Sequence, residues 1–171
     1  MGCRRTNGLL AAFVVAVSAC STDSSAARTS TGPLTANATV VYVSDGDTIG
    51  VEIDGVEERV RLIGIDTPET KKPDTPIECF GPEATAFTES LLPKGTSLHV
   101  PRDVEARDVY GRLLAYVYRS DDGLFVNLEI IGQGYARPLT IPPNVAHADE
   151  FVVAARNAEA TNVGLWAGCS G

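Results

Sequence analysis

Two Asp-Gly dipeptides constrain the fold of this chain more strongly than any other feature of its sequence. Asp45-Gly46 and Asp54-Gly55 separate three β-rich segments, at residues 40–43, 48–53 and 57–65. Asp-Gly is a preferred pair in tight hairpin turns, because both residues tolerate the positive φ angles that such turns require. The sequence therefore predicts three consecutive antiparallel strands.

The third β-rich segment carries charge at both ends. Arg61 precedes the apolar run of residues 62–65, and Asp66 and Glu69 follow that run. Because side chains alternate between the two faces of a strand, strict alternation would send Arg61 and Asp66 to opposite faces. We therefore expect the strand to coil or bulge, and Gly64 is the place where we expect it.

Charged side chains of both signs flank this strand end in the sequence. A second acidic turn lies upstream, with Asp45 and Asp47, and a second arginine, Arg112, lies downstream. Carboxylates are hard cation ligands or bases, and guanidinium groups are planar donors that suit phosphates. Two acidic turns and two arginines indicate a divalent cation facing a phosphodiester. For each residue alone, a turn-forming role or a surface ion pair is the alternative.

The remainder of the chain predicts helices around a small barrel. Helices are expected at residues 81–92, 126–132 and 147–161, and two further strands at 97–102 and 113–119. Five strands with about three outer helices fit an α+β fold, mainly β. Its centre is a five-stranded, partly open barrel of the oligonucleotide/oligosaccharide-binding (OB) type.

Four motifs then carry a resemblance to a known family. They are DGDT at 45–48, RLIGIDTPET at 61–70, FGPEATAFT at 80–88 and YGRLLAYVY at 110–118. In this order and spacing they resemble the staphylococcal nuclease (thermonuclease) family, over roughly residues 40–166. The resemblance implies an OB-fold and a Ca²⁺-dependent phosphodiesterase that hydrolyses DNA and RNA with little sequence preference.

The resemblance also implies a role for each charged residue. Asp47, Asp66 and the Thr67 carbonyl are expected to bind Ca²⁺. Arg61 and Arg112 would hold the phosphate oxygens and stabilise the transition state. Glu69 would either deprotonate or orient the attacking water. The bond to the 5′ oxygen then breaks and leaves 3′-phosphate ends.

Substrate contacts are expected from Tyr110, Lys71 and Lys72, but the chain departs from the family beside them. Residues 137–144 contain no aromatic side chain where the family has a base-stacking tyrosine. Val109 stands where a family member often has lysine. Because stacking contributes about 1 to 3 kcal/mol per base, we expect weaker binding of the base.

The N-terminus predicts export. Two arginines, an apolar run at 9–17 and the small residues before Cys20 resemble a lipoprotein signal at 1–19, with Cys20 lipidated. A plain secretory signal is the alternative. Residues 20–37 are polar and small, which predicts a disordered tether to a domain at 38–171. We expect a monomeric cell-surface lipoprotein or secreted protein, held to the membrane by its lipid anchor.

Two cysteines remain in the exported domain. In an oxidising compartment we expect Cys79 and Cys169 to pair. A bridge closing a loop of this length stabilises by on the order of 4 kcal/mol in the chain-entropy model. A zinc site is the alternative, but two isolated cysteines lack the close pairs of zinc-site spacings.

The charge of the chain argues against a nucleic-acid substrate. The full chain carries a net charge of −8, with 14 basic and 22 acidic residues. An acidic surface repels nucleic acid, so binding should be weak and salt-sensitive. Two alternatives to the enzyme are therefore a noncatalytic OB-fold module that binds nucleic acid or protein, and a structural or interaction lipoprotein.

Overall fold

The computed structural model describes residues 33–70 and 76–169. The first three strands, β1 (Ala38–Asp45), β2 (Thr48–Ile53) and β3 (Val56–Leu62), form the predicted antiparallel meander. At the second hairpin Ile53 pairs with Val56, so Asp54 and Gly55 are the central turn residues, both with positive φ. At the first hairpin Asp45 pairs with Thr48, which places Asp47 inside the turn.

The predicted third strand divides at Gly64. This glycine has a φ of +82°, and a Cβ built on it would lie 2.2 Å from the ring of Phe151. A residue with a side chain would meet both backbone strain and a clash there. Strand β4 (Gly64–Asp66) therefore leaves the first sheet and pairs with β8 (Arg137–Leu139) in a second, two-stranded sheet.

The predicted strand at 113–119 also divides in two. Strand β6 (Leu113–Ala115) runs parallel to β3, whereas β7 (Tyr118–Arg119) is antiparallel to β5 (Ser97–His99). The six-stranded sheet has the order β6-β3-β2-β1-β5-β7. Because β6 and β7 are consecutive parts of one segment, that segment joins the two edges of the sheet. The chain therefore forms the expected OB-type barrel, with shorter strands than predicted.

In the part of the chain that the structure describes, four helices pack outside the barrel: α1 (Gly81–Leu91), α2 (Val126–Gly132), α3 (Ala148–Ala160) and α4 (Leu165–Gly168). The core between them and the sheet holds large side chains that are fully buried, among them Ile49, Leu62, Ile65, Leu98, Ile130 and Phe151. Buried Asn127 joins the two divided strands, since its amide donates to Ile63 O (2.8 Å) and its oxygen accepts from Val117 N (2.9 Å).

The ends of the described chain are attached to the barrel. Cys79 and Cys169 form a disulfide (S–S 2.06 Å), as predicted. At the other end Leu34 N donates to Ser120 O (2.8 Å) and Asn37 N to Leu98 O (2.8 Å), so this part of the predicted tether lies against the barrel. The predicted signal and Cys20 lie outside the described residues. No helix among the described residues is long and apolar enough to cross a membrane.

Candidate active site

Asp47 connects the two acidic turns. Its side chain is almost fully buried, and its Oδ2 accepts hydrogen bonds from Thr67 N (3.0 Å) and Thr67 Oγ1 (3.1 Å). Its Oδ1 accepts from Thr48 Oγ1 (3.1 Å). Gly46 makes this approach possible, because a Cβ there would lie 2.7 Å from the Thr67 side chain. The first hairpin turn and the end of β4 are thus held in contact.

Helix α1 fixes the same turn from the other side. Buried Thr88 donates a hydrogen bond from its hydroxyl to the Gly46 carbonyl (2.7 Å). Asp47 O in turn accepts from Leu62 N (2.9 Å) at the end of β3. A buried hydrogen bond left unmade costs about 1 to 3 kcal/mol, so this turn has little freedom to move.

The Arg61 guanidinium lies between the carboxylates of Asp47 and Asp66. Its Nη2 is 3.1 Å from Asp47 Oδ2 and 3.0 Å from Asp66 Oδ1. Its Nη1 donates to the carbonyls of Leu62 and Ile65, each at 2.9 Å. The chain wraps around the guanidinium because it bends at Gly64. Arg61 and Asp66 therefore converge, although strict strand alternation would separate them.

Arg112 is held by an acid four residues before it. Its Nε donates to Asp108 Oδ2 (2.6 Å), and its backbone N–H donates to Asp108 Oδ1 (2.9 Å). Burial alone would raise the pKa of Asp108, but the hydrogen bonds from Arg112 keep it below its usual 3.8. Asp108 is therefore ionised at neutral pH and orients Arg112.

These groups share one cavity of about 330 Å³. Its walls include Asp47, Asp66, Thr67, Arg61, Glu69 and Arg112, which are the six residues predicted to carry the chemistry. Two further acids, Asp45 and Glu78, line the same cavity, and neither was predicted to have a role of its own. The DGDT motif was a signal for Asp45. No comparable sequence signal marks Glu78, because solvated acidic residues often lie just before helices.

The cavity concentrates negative charge. Burial, and then the charge of neighbouring Asp47, raise the pKa of Asp45 from 3.8 to about 6. A pKa raised by burial and a like charge, in a group that lines a cavity, is typical of functional sites.

The donors fit a hard cation, because carboxylates and a backbone carbonyl are the oxygen ligands that Ca²⁺ prefers. Within residues 33–70 and 76–169, however, no three acidic, histidine or cysteine side chains are grouped so that they could hold a metal ion. The fit is therefore one of donor chemistry, and backbone and water oxygens would have to complete the shell.

A second cavity, of about 360 Å³, adjoins the two arginines. Its walls are largely apolar and include Ile63, Ile65, Leu139 and Ile141, with Tyr110 at the rim. Tyr110 is 81% exposed, and the Arg112 guanidinium lies 5.6 Å from its ring centroid. Tyr110 thus lies beside the charged cavity, where an apolar group of a ligand could contact it. Lys71 and Lys72 lie outside the described residues.

Comparisons with known proteins identify relatives of this chain. Residues 59–168 match the family model described as "Staphylococcal nuclease homologue". The chain is 40% identical over 127 residues to the thermonuclease of Staphylococcus intermedius, covering 74% of each chain. It is 36% identical to the thermonuclease of Staphylococcus hyicus, covering 74% of this chain and 73% of that one. It is also 36% identical over 132 residues to "Endonuclease YncB" of Bacillus subtilis, covering 76% and 61%.

Proposed function

Because the chain belongs to the staphylococcal nuclease family, whose members here are named thermonucleases and endonucleases, we propose that it is a Ca²⁺-dependent nuclease. Its substrates would be DNA and RNA, cleaved with little sequence preference to leave 3′-phosphate ends. The observation that supports this best is the single cavity that contains both arginines and the carboxylates of both acidic turns.

Asp47, Asp66 and the Thr67 carbonyl would hold the ion. When bound, Ca²⁺ would supply positive charge against the phosphodiester. The buried position of Asp47 supports this assignment, since a carboxylate held by three hydrogen bonds keeps its orientation without the ion. In the structure, the carboxylates of Asp47 and Asp66 both contact the positively charged guanidinium of Arg61.

Arg61 and Arg112 would bind the nonbridging phosphate oxygens. A guanidinium presents a planar fork of donors to two oxygens, which an ammonium group cannot do. Asp108 pre-orients Arg112. The Nη donors of Arg61 contact two carbonyls and two carboxylates in the structure, and its Nη2 would turn to the phosphate once the ion takes Asp47 and Asp66. Pre-oriented donors stabilise the charge that builds on the phosphoryl oxygens in the transition state.

Glu69 would deprotonate or orient the water that attacks phosphorus in line with the leaving group. The water oxygen bonds to phosphorus, the bond to the 5′ oxygen breaks, and that oxygen takes up a proton. The products are a 3′-phosphate and a 5′-hydroxyl. No covalent intermediate with the protein is required.

The base next to the cleaved phosphate would lie in the apolar cavity, against Tyr110. Aliphatic walls replace the missing stacking side chain there, so base affinity would come from apolar contact and a single ring. Lys71 and Lys72, which follow Glu69 by two and three residues, would add positive charge near the phosphates.

The decisive experiment for this function is digestion of single-stranded DNA and RNA by the purified domain. We expect cleavage with Ca²⁺, its loss with a chelator, and 3′-phosphate ends by end-group analysis. Absence of cleavage with bound nucleic acid would instead support the noncatalytic binding module. That alternative is less favoured because such a module has no need to keep all six candidate residues in one cavity.

We also propose export, with the domain at residues 38–171 tethered to the membrane through lipidated Cys20. The Cys79–Cys169 disulfide is compatible with an oxidising compartment. The full chain should partition into the detergent phase, whereas Cys20→Ser should not; equal partition would refute lipidation.

We expect a monomer by light scattering, and a stable dimer would contradict this.

A further inference from the structure

We propose that Glu78, anchored by the Cys79–Cys169 disulfide, is a positioning residue that holds Glu69 in place for catalysis. This inference rests on the proposed role of Glu69. Glu78 itself is not assigned any contact with the reacting atoms.

Glu78 and Glu69 form a reciprocal pair of hydrogen bonds. Glu78 Oε2 accepts from Glu69 N (3.1 Å), and Glu69 O accepts from Glu78 N (3.0 Å). The carboxylate of Glu69 also accepts from Thr70 N (2.9 Å). Both glutamates line the charged cavity. The backbone that carries the Glu69 side chain is thus bound on both its N–H and its carbonyl by a single residue nine positions later.

The anchor behind Glu78 is part of the folded domain. Cys79, the next residue, is bonded to Cys169 directly after helix α4. That helix is docked by buried Leu165, whose N–H donates to Gly134 O (2.8 Å). Gly168 also lies against the Phe80 ring, since a Cβ there would come within 2.8 Å of it. The disulfide therefore ties Glu78 to a packed element.

Helix α1 begins without a side-chain cap. Its N-cap is Phe80, in the left-handed region with φ of 71°, and a phenyl ring cannot accept the capping hydrogen bond that Ser, Thr or Asp would. The disulfide and a hydrogen bond from Gly81 N to Glu78 O (3.1 Å) both hold the chain at this point. Cys79 is exposed, so a small thiol can reach the bond.

Loss of this pair should lower turnover more than binding. A displacement of about 1 Å at a positioned catalytic group can lower a rate by about a hundredfold. Substrate binding depends on the arginines and the apolar cavity, which Glu78 does not hold. We therefore expect a change in kcat with little change in KM.

The test uses steady-state cleavage of a single-stranded DNA oligonucleotide in saturating Ca²⁺, at 15 °C so that all variants remain folded. Glu78→Ala should lower kcat by about ten- to a hundredfold and leave KM within about twofold. Glu78→Gln keeps an amide oxygen that can accept from Glu69 N, and should retain kcat within about threefold. A merely structural role would not separate kcat from KM or distinguish these two variants.

The disulfide is tested with Cys79→Ser/Cys169→Ser and with the reduced wild type. A dithiol reductant supplies two electrons and two protons, and converts the bond into two thiols. Both forms should have a lower kcat than the oxidised wild type, as Glu78→Ala should. The double serine variant should not respond to the reductant. Normal kcat in both forms would refute the role of the disulfide in positioning Glu69.

A Glu69→Gln background separates this inference from the proposed function. There, Glu78→Ala should lower kcat by less than about twofold further, because the positioned group is already lost. Near-normal turnover of Glu69→Gln would overturn the proposed role of Glu69. If Glu69→Gln is impaired while Glu78→Ala is normal, only the positioning role fails. If Glu78→Gln is as poor as Glu78→Ala, the charge of Glu78 is needed and positioning through the hydrogen bond is refuted.

Discussion

Loss of the Cys79–Cys169 disulfide should destabilise the domain strongly, and the size of the effect can be worked from the chain. The two cysteines are 90 residues apart. In the chain-entropy model, closing a loop of that length lowers the entropy of the unfolded chain, which stabilises the folded domain by about 4.6 kcal/mol at 25 °C. For a domain of this size each kcal/mol corresponds to about 4 °C in Tm, so Tm should fall by roughly 15 to 20 °C.

The assay compares wild type with Cys79→Ser/Cys169→Ser by calorimetry and urea unfolding. Reduction should lower the Tm of the wild type to that of the double variant, which itself should not respond to the reductant. The slope of the unfolding free energy against urea should rise in the variant, since its unfolded chain is less compact. A Tm within about 3 °C of wild type would refute the claim that the bridge acts by restricting the unfolded chain.

Two other perturbations probe single contacts. Arg112→Lys should lower turnover nearly as much as Arg112→Ala, because an ammonium group lacks the planar fork, and full activity of the lysine variant in the oligonucleotide assay would contradict this. Asp103 has a pKa below 3.8, first because Ala146 N donates to it (3.0 Å) and also because Tyr116 Oη does (2.8 Å), although burial opposes the shift. A lowered folded-state pKa gives stability that is present above the unfolded value of 3.8 and is lost as pH falls through the folded value. In Asp103→Asn the unfolding free energy should therefore fall less steeply as the pH is lowered into the acid range. An unchanged pH dependence would refute the assignment.

The local turns of the fold were readable from the sequence because their chemistry is local. Asp54-Gly55 forms the expected hairpin turn, with both φ angles positive. Gly64 was expected to disturb its strand, and it does so with a φ of +82°. In both cases a short stretch of backbone requires a glycine, and the requirement is visible without knowledge of the neighbours.

The long-range pairings were not readable. Strand β4 leaves its sheet to pair with β8, more than seventy residues later in the sequence. The segment at 113–119 divides because Asn127, on a helix, takes the Val117 N–H that a continuous strand would give to a neighbour. Such choices depend on which distant group is close in three dimensions, and a hydrophobic pattern does not record that.

The candidate site shows the same limit. The resemblance to the nuclease family named Asp47, Asp66 and Arg61, but the sequence did not indicate that the guanidinium lies between the two carboxylates. Nothing local in the sequence indicates a role for Glu78, because the hydrogen bonds that distinguish it are made to a residue nine positions earlier. The roles of these side chains remain predictions that the experiments above test.

Crystallographic occupancy by Ca²⁺ tests the central claim most directly. A crystal of the domain soaked in Ca²⁺ and a nucleotide analogue should show one ion bonded to Asp47, Asp66 and the Thr67 carbonyl, at about 2.3 to 2.6 Å. The phosphate of the analogue should contact both Arg61 and Arg112. A bound analogue without any ion between the two acidic turns would contradict the proposed site.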